Sequence, residues 1–351
     1  MTKQSKTRGI LLLNLGSPDS PAVTDVRAYL AEFLMDKYVL DTHFLIRSLV
    51  VYGTILPNRP QESASAYEKI WTKEGSPLVF TTEKTAEKLA EKLAMPINYG
   101  MRYGSPGIRK SLESLWKQGK GQLSEILVLP LYPHYALSST KTATEAVISA
   151  AKSLKINIPI KTLNPFFEDP YYVDALVETA KPFLSQPFDH LLFSYHGLPE
   201  RHLRKADPTG EICLKKAGCC DLDTPAVGTC YKAQTVRTTQ AFIQKSQVDR
   251  KKVSVAYQSR LGRDPWIQPF TDKILAELPK QGKKRLLVIC PSFVADCLET
   301  LEEIEMRGRD IFLESGGESF DLIPCINTSD SWIKALQFWC LNPEKSFSPL
   351  I

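Results

Sequence analysis

The chain has 351 residues, of which 43% are hydrophobic and 24% are charged, and 44 basic against 39 acidic side chains give a net charge of +5. This composition is that of an ordinary globular protein, and it excludes the disordered, collagen-like and small disulfide-framework classes. The basic residues are spread along the chain, so nucleic-acid binding is not indicated. At roughly 150 residues per domain, the length predicts two domains.

The first apolar run indicates a buried strand rather than a targeting segment. It ends at Asn14 and is shorter than the roughly 7–15 apolar residues at the centre of a signal peptide. No stretch approaches the roughly 18 apolar residues of a membrane span. The eight cysteines therefore indicate a reducing compartment, and we expect a cytoplasmic protein that at most contacts a membrane surface.

Strand-like runs recur along the chain and alternate with helix-like patterns. The four strongest are nearly continuous apolar runs, as in parallel strands that are covered on both faces, at residues 10–15, 126–131, 190–195 and 285–290. Weaker candidates lie at residues 97–99 and 253–257. The alternation predicts an α/β fold with parallel sheets flanked by helices.

The strong runs also form two similar pairs. ILLLNLGSP (10–18) is similar to HLLFSYHGLP (190–199), and EILVLPLYPHY (125–135) is similar to RLLVICPSFV (285–294). This duplication predicts two similar lobes, at residues 1–165 and 166–330, with residues 331–351 as a tail that packs back on the first lobe. Ligands of such sheets bind at the carboxyl ends of the strands, so residues just after the runs are site candidates.

Two histidines occupy such positions. His196 follows the run at 190–195 and precedes Gly197, which would let a ligand approach the backbone closely. His134 follows the run at 126–131. A hydrogen-bonded turn histidine is the alternative interpretation, but matching positions in two halves favour function. Sequence motifs for phosphate binding and for a serine nucleophile are absent, which argues against an ATPase, a dinucleotide enzyme or a serine hydrolase.

Three carboxylates follow the fourth strong run. Asp296, Glu299 and Glu303 are spaced i, i+3 and i+7, which would place them on one face of an α-helix. A solvated acidic face is the ordinary explanation of such a pattern. Because these residues begin close to a buried strand end, we expect a face turned into a cleft, where it could guide a cation or relay protons.

Seven motifs in order resemble those of the ferrochelatase family, and the resemblance covers nearly the whole chain. They are LNLGSP (13–18), GSPL (75–78), GMRYGSP (100–106), LPLYPHYALSST (129–140), SYHGLP (194–199), AYQSRLGRDPWIQP (256–269) and DCLETLEE (296–303). The resemblance implies two Rossmann-like lobes, with parallel four-stranded sheets flanked by helices, around a porphyrin cleft. It further implies that ferrous iron is inserted into protoporphyrin IX to form haem.

The resemblance also implies roles for the candidate residues. Metal insertion replaces two pyrrole protons by a dication, so a proton acceptor must stand over the ring. His196 matches that acceptor, which could also touch the metal, and Glu299 matches the acidic residue on the opposite side. Asp296 and Glu303 extend Glu299 into a path for iron or protons.

Porphyrin contacts are implied for five residues within the motifs, Ser76, Arg102, Tyr103, His134 and Trp266, and for Tyr67 near the motif that contains Ser76. An arginine could pair with a propionate, although a surface ion pair is the alternative for Arg102. A core position is the alternative for Trp266. The apolar segment 28–56 either packs as helices or forms a lip over the porphyrin mouth that contacts a membrane peripherally.

Half of the cysteines fall in one loop at residues 211–232. Cys213, Cys219, Cys220 and Cys230 are spaced C-x5-C-C-x9-C, whereas Cys290, Cys297, Cys325 and Cys340 are scattered. Four thiols in one loop suit either tetrahedral zinc or an iron–sulfur cluster. The C-x2-C pairs of common zinc sites are missing, so we predict a structural [2Fe–2S] cluster. Some ferrochelatases carry such a cluster, but with differently placed ligands.

We therefore predict an enzyme, a lyase that makes haem b from protoporphyrin IX and ferrous iron. A coproporphyrin III ferrochelatase is one alternative, and a non-catalytic tetrapyrrole- or metal-binding protein with two lobes is another. The presence of both His196 and Glu299 favours an enzyme, because a carrier needs affinity but no proton acceptor. The sequence does not distinguish a monomer from a dimer.

Overall fold

A computed structural model describes residues 7–262 and 264–351. The chain divides into two compact units. The first unit contains the residues up to Leu131 together with Leu137–Asn164 and Ile333–Ile351. The second unit contains Tyr132–Ala136 and Pro165–Trp332.

The first unit is built on a five-stranded sheet flanked by helices. Its strands are β1 (Thr7–Ser17), β2 (Ile97–Gly104), β3 (Leu123–Pro130), β4 (Ile160–Leu163) and β9 (Phe347–Pro349), in the order β2-β1-β3-β4-β9. Its α-helices are α1 (Val23–Leu34), α2 (Phe44–Val50), α3 (Leu56–Ile70), α4 (Pro77–Lys92), α5 (Ile108–Gln118), α6 (Thr142–Ser153) and α13 (Pro343–Ser346). Single π-helical turns at Val51–Ile55 and Leu137–Lys141 precede α3 and α6.

The second unit is built on a four-stranded sheet. Its strands are β5 (His190–His196), β6 (Val253–Gln258), β7 (Arg285–Ile289) and β8 (Ser319–Ile323), in the order β6-β5-β7-β8, and every pair is parallel. Its α-helices are α7 (Pro170–Leu184), α8 (Glu200–Ala206), α9 (Tyr231–Ser246), α10 (Thr271–Glu277) and α11 (Arg309–Glu314). A π-helix at Glu299–Gly308 leads into α11, and α12 (Asp330–Leu341) includes the boundary between the units.

The two sheets confirm the prediction of two similar Rossmann-like lobes. The order β2-β1-β3-β4 repeats as β6-β5-β7-β8. The four strong apolar runs form the inner strands β1, β3, β5 and β7, where both faces of the sheet are covered and a strand can be apolar throughout. The two weaker runs form the edge strands β2 and β6.

The first sheet differs from the expected four strands. β9 adds a fifth strand, antiparallel to β4, with Phe347 opposite Leu163. β4, β8 and β9 have only three to five residues each, several of them partly exposed, so none produces a continuous apolar run. β9 also covers the free edge of β4, which would otherwise present unpaired backbone groups.

An apolar cluster in the second unit anchors the segment that carries the predicted carboxylates. Ile304 of the π-helix and Phe312 of α11 are both buried there against strand residues such as Leu192 and Val288. The acidic face of the π-helix is therefore held in place by the apolar residues on its other side.

We expect Phe312→Ala to lower the free energy of unfolding by about 3–5 kcal/mol, because its fully buried ring fills this cluster. Leu313 is the matched control, since it follows Phe312 directly but is 38% exposed. Leu313→Ala should cost less than about 1 kcal/mol. Urea unfolding of both variants measures the difference, and equal losses would contradict the anchoring role of Phe312.

Candidate functional site

The topology of the second sheet creates a crevice at the carboxyl ends of β5 and β7. The strand order reverses there, because β6 pairs with one side of β5 and β7 with the other. Open α/β sheets bind ligands at such a switch point. His196 is the last residue of β5, and the acidic segment follows β7. The fold thus brings the predicted histidine and carboxylates to one edge of the sheet.

Hydrogen bonds fix both the backbone and the ring of His196. Its backbone N–H donates to Ser292 Oγ at 3.2 Å, and its ring Nδ1 lies 2.6 Å from the carbonyl oxygen of Gly197. A carbonyl can only accept, so Nδ1 carries the proton and Nε2 of the neutral ring keeps its lone pair. The ring of Phe293 meets the imidazole edge-on at 6.2 Å. His196 is therefore held as a base with Nε2 as its basic atom.

Gly197 occupies a position that no side chain could share. A Cβ at this residue would lie 2.7 Å from the carbonyl oxygen of Ser259 and 2.8 Å from that of Gln258. It would also lie 3.3 Å from the ring of Trp266, whose indole N–H donates to the carbonyl of Leu261 at 3.0 Å. The predicted porphyrin residue Trp266 thus packs against the turn that carries His196.

The three carboxylates are not arranged on one α-helical face, so that expectation is wrong. Asp296 precedes the helix, and Glu299 and Glu303 lie in a π-helix, whose backbone bonds join residues five apart. The Asp296 side chain accepts hydrogen bonds from Thr300 Oγ1 at 3.1 Å, Asn327 Nδ2 at 2.7 Å and the backbone N–H of Cys325 at 3.2 Å. Asp296 therefore ties the start of the helix to the loop after β8.

The surroundings of Glu303 raise its pKa. Burial is the larger cause, and the negative charge of Glu299 raises the pKa further. A hydrogen bond from Ser259 Oγ, 2.5 Å from Glu303 Oε2, lowers it, as does the positive charge of His196 when its ring is protonated. Arg307 lies 3.6 Å from the other oxygen. Glu303 is therefore within electrostatic reach of both Glu299 and His196.

Sequence reasoning missed the polar residues that support this group. Ser259 and Ser292 come just after β6 and β7, the same signal that singled out His196. Tyr231 Oη lies 2.7 Å from Ser292 Oγ. Gln258 Nε2 donates to the backbone carbonyl of Glu299 at 3.0 Å and so links the π-helix to β6.

His134 differs from His196 despite its matching sequence position. It is buried in the second unit, with Nε2 2.9 Å from Thr238 Oγ1 and its ring against Tyr195 and Tyr231. Burial lowers its pKa to about 3, so the ring is neutral at physiological pH. This placement favours a core histidine over the porphyrin contact that the sequence indicated.

In the first unit, Arg102 and Tyr103 form one network with Asp36. Arg102 Nη2 forms an ion pair with Asp36, and Arg102 Nε donates to Thr142 Oγ1 at 2.7 Å. The Tyr103 hydroxyl donates to Asp36 Oδ2 at 3.0 Å, and burial together with the charge of Asp36 raises the Tyr103 pKa. Arg102 thus already has a counter-charge, and Tyr103 is fully buried.

The other two predicted porphyrin residues in this unit are also buried. Tyr67 lies on α3 and meets the rings of Tyr29 and Trp71 edge-on, at 6.4 and 6.2 Å. Ser76 is the N-cap residue of α4, directly after the turn that is closed by Thr72 and Gly75. Neither side chain is presented on an open surface of the unit.

The apolar segment around α2 is largely exposed. Its uncovered side chains are Phe44, Leu45, Ile46, Leu49, Val50 and Tyr52, with Leu49 73% exposed. Among the described residues, no helix has both the length and the hydropathy to cross a membrane. Packing against other helices therefore does not explain why these residues of the segment 28–56 are apolar.

The four loop cysteines lie near one another in the second unit. The Sγ atoms of the buried Cys213 and Cys230 are 3.4 Å apart, and Cys219 and Cys220 are adjacent and half-buried. The hydrogen bond from Cys213 lowers the pKa of Cys230 to about 7, whereas burial raises that of Cys220 to about 12. Asp207 organises the loop by accepting the backbone N–H groups of residues 212 and 213.

The thiols of this loop are ligands that suit a soft metal, but the four sulfur atoms do not surround one common point. Within residues 7–262 and 264–351, no three His, Cys, Asp or Glu side chains are grouped so that they could hold a metal ion. All eight cysteines are free thiols. The predicted ligands thus form a close pair, Cys213 and Cys230, and a neighbouring pair, Cys219 and Cys220.

Comparisons with known proteins agree with this architecture. The ferrochelatase family model matches residues 7–342. The ferrochelatase of Stutzerimonas stutzeri (strain A1501) is 47% identical over 97% of this chain and 98% of its own length. That of Ectopseudomonas mendocina (strain ymp) is 48% identical over 94% of this chain and 96% of its own length.

Solved structures support the fold alone. SirB from Bacillus subtilis with Fe3+ superimposes with a TM-score of 0.53 at 14% identity, covering 97% of this chain and 98% of SirB. The model match and the identity to curated relatives extend over nearly the whole chain and include the segments that carry His196 and Glu299. The chain therefore belongs to the ferrochelatase family.

Proposed function

We propose that the chain is a lyase that inserts ferrous iron into protoporphyrin IX to form haem b, the last step of haem synthesis, with His196 and Glu299 as its catalytic residues. The observation that carries this proposal is the basic Nε2 of His196 at the switch point of the second sheet, with Glu303 within electrostatic reach of both His196 and Glu299. Family membership supports the reaction, and the local geometry supports the roles of the residues.

The chemistry requires two protons to leave the porphyrin as Fe2+ enters. His196 Nε2 takes a pyrrole proton, because Nδ1 is already protonated and bonded to the carbonyl of Gly197. Glu299 and Glu303 attract the dication when ionised and can each accept a proton. The raised pKa of Glu303 suits the second task, since a carboxylate with a higher pKa takes up a proton more readily.

Asp296 orients the segment that carries Glu299 rather than contacting the substrates. Both of its carboxylate oxygens accept hydrogen bonds from the protein, so it orients Thr300 and the start of the π-helix that carries Glu299. The predicted metal path consists of His196, Asp296, Glu299 and Glu303. We assign contacts with iron and protons to His196, Glu299 and Glu303. Asp296 orients the segment that carries Glu299. Opening its bonds to Asn327 and Cys325 would be needed before Asp296 could bind iron.

For the porphyrin itself we propose contacts by Tyr67, Ser76, Arg102, Tyr103 and Trp266, as the family resemblance implies. Trp266 has the strongest local support, because its ring packs against Gly197 beside His196. Arg102 would need to exchange part of its ion pair with Asp36 for a propionate. The buried His134 supports the strand end rather than the ligand.

The exposed apolar side chains of α2 favour protoporphyrin over the more polar coproporphyrin III, and they also support a peripheral membrane contact through residues 28–56. An apolar substrate partitions into lipid, so an apolar surface on the enzyme suits its delivery. A non-catalytic carrier would have no use for a base of fixed tautomer beside two carboxylates.

We also propose that the loop at 211–232 binds a structural [2Fe–2S] cluster through Cys213, Cys219, Cys220 and Cys230. The short distance between the Cys213 and Cys230 thiols supports this assignment, as does the lowered pKa of Cys230, because the thiolate is the form that binds metal. Cys219 and Cys220 would have to move towards this pair to complete the ligand set. Metal insertion transfers no electrons, so the cluster would stabilise the loop. Zinc on the same thiols is the alternative.

The wild-type chain should insert Fe2+, or Zn2+ as a substitute, into protoporphyrin faster than into coproporphyrin. His196→Ala should slow insertion by about 10²–10⁴-fold while porphyrin binding persists, because the change removes the proton acceptor. Absorbance measures insertion, and fluorescence quenching measures binding.

His43→Asn is the control for this experiment, since His43 is an exposed histidine in the first unit whose capping role asparagine can keep. Its rate should equal that of the wild type. Near-normal turnover by His196→Ala would refute the catalytic assignment, and faster insertion into coproporphyrin would establish the alternative substrate.

Glu303→Gln should stabilise the protein at neutral pH and slow metal insertion. The pKa of Glu303 is raised in the folded state, so its favourable contribution is complete below its ordinary value of 4.5 and is lost as the pH rises through the folded-state pKa. Glutamine cannot ionise, so the variant keeps this stability at neutral pH. Thermal melting from pH 4 to pH 8 should show an advantage for the variant that vanishes towards pH 4.

Glu305→Gln is the matched control on the same π-helix, where Glu305 faces Arg309 at 3.9 Å. It should change neither the melting profile nor the rate of insertion. Destabilisation of Glu303→Gln at pH 7 would mean that the contacts with Ser259 and Arg307 outweigh burial and the charge of Glu299.

Anaerobically purified protein should be red-brown and contain two irons and two sulfides per chain, and Cys219→Ser should bleach it. Cys340→Ser is the control, because Cys340 is buried in the first unit and outside the loop. Iron, zinc and sulfide analysis provides the measurement. A colourless protein with one zinc per chain would refute the cluster and leave the ferrochelatase assignment intact.

A further inference from the structure

The first unit contains a pocket of about 890 Å³, and apart from Arg102 its basic residues have no role in the proposed reaction. Its walls come from the end of α1, from α2, from the start of α5 and from α6, and the ion pair between Arg102 and Asp36 lies on one side. The charged residues that line it besides this pair are Glu32, Lys37, Arg47, Arg109, Lys110 and Glu145.

Four basic side chains of this pocket make no direct ion pair with other described residues. In the described part of the chain, none of Lys37, Arg47, Arg109 and Lys110 forms an ion pair. The two acids are already engaged: Glu145 with Lys141 at 2.8 Å, and Glu32 with the backbone N–H of Gly104 at 2.9 Å. The lining thus carries five basic side chains against three acidic ones, which leaves an excess of positive charge around the cavity.

Arg47 is the most informative of these cations because it is buried. Only 8% of the residue is exposed, and its Nη1 donates to the carbonyls of Leu40 at 3.0 Å and Thr42 at 3.2 Å. Its Nε has no hydrogen-bond partner among the described residues. Buried charges are normally paired, so this guanidinium indicates an anion that the chain itself does not provide.

The start of α5 adds partial positive charge to the same pocket. This helix has 11 residues, and its N-cap residue, Gly107, provides no side-chain cap. The free N–H groups of the first turn and the helix dipole both favour an anion there. Gly107 and Ile108 line the pocket together with Arg109 and Lys110 of the first turn.

We propose that this pocket binds a phosphate group, with Arg47 as the buried anchor and Lys37, Arg109, Lys110 and the start of α5 as further contacts. Phosphate matches several converging N–H donors and a multiple positive charge better than a single carboxylate does. The group could belong to a phospholipid or be free in solution.

The position of Arg47 favours the lipid source. Arg47 lies on α2, whose neighbouring side chains Phe44, Leu45 and Leu49 are exposed and apolar. The same short helix thus presents apolar residues outward and one cation to the pocket. Apolar contact with acyl chains beside a basic headgroup site is the usual pattern of peripheral binding to anionic membranes.

Two measurements on the full chain test this proposal and distinguish the sources. Calorimetry with inorganic phosphate tests the free anion, and flotation with phosphatidylcholine vesicles, with and without phosphatidylglycerol, tests the lipid. We expect phosphatidylglycerol to increase vesicle binding, and high salt to remove the increase. Binding of inorganic phosphate alone would also support the pocket and assign it to a soluble ligand.

The double variant Arg109→Glu with Lys110→Glu should weaken binding at least roughly tenfold, because both residues are exposed and charge reversal changes the pocket rather than the fold. Lys88→Glu with Lys92→Glu on α4 is the control with the same change in charge. Arg47→Lys, which keeps the charge but loses the fork of N–H donors, should weaken binding without unfolding the chain.

Leu45→Ser with Leu49→Ser separates the apolar contact from the phosphate site. It should reduce vesicle flotation and leave calorimetric phosphate binding unchanged. Zinc insertion into detergent-solubilised protoporphyrin should be normal in the Arg109 and Lys110 variant, so failure of this proposal is distinguishable from failure of the catalytic one. Binding of neither probe, or an equal loss in the α4 control, would overturn the proposal.

Discussion

The proposed catalytic group depends on one close contact between the backbones of Gly197 and Gln258. Gly197 donates its N–H to the carbonyl of Gln258 at 2.6 Å and offers its own carbonyl to the ring of His196 at 2.6 Å. A Cβ at this residue would lie 2.8 Å from that same Gln258 oxygen, so only glycine allows the arrangement. The tautomer of the base is thus determined by the packing of β6 against the end of β5.

The same two strands also determine how the carboxylates are held. Gln258, the last residue of β6, holds the backbone of Glu299, and Ser259 holds the side chain of Glu303. Removing Glu303 from solvent beside the charge of Glu299 costs stability, which the raised pKa of Glu303 expresses. Apolar anchoring by Ile304 and Phe312 offsets that cost, so the fold tolerates a charge cluster that would be unfavourable by itself.

The sequence predicted those parts of the structure that depend on local patterns. Inner parallel strands are apolar throughout, so β1, β3, β5 and β7 were predictable, whereas the short strands β4, β8 and β9 depend on neighbours distant in sequence. The sequence equally indicated that His196 lies at the carboxyl end of β5. His134 has the same local signal, but its burial arises from Thr238, Tyr195 and Tyr231, which lie far along the chain. The π-helix also escaped prediction, because i, i+3 and i+7 spacing reads as an α-helix.

Among the described residues, Glu303, Cys230 and Arg47 each hold an ionisable group largely away from solvent, and the sign of each charge indicates what it could bind. Glu303 presents negative charge beside Glu299, where we propose that the metal dication arrives. Cys230, whose pKa is lowered to about 7, presents a readily ionised thiol beside Cys213, which suits the metal centre that we propose. Arg47 presents a positive charge in the first unit, where a bound anion would supply the missing partner of its Nε. A buried charge that lacks a full counter-charge costs stability, so each of the three proposed ligands would compensate the group that it meets.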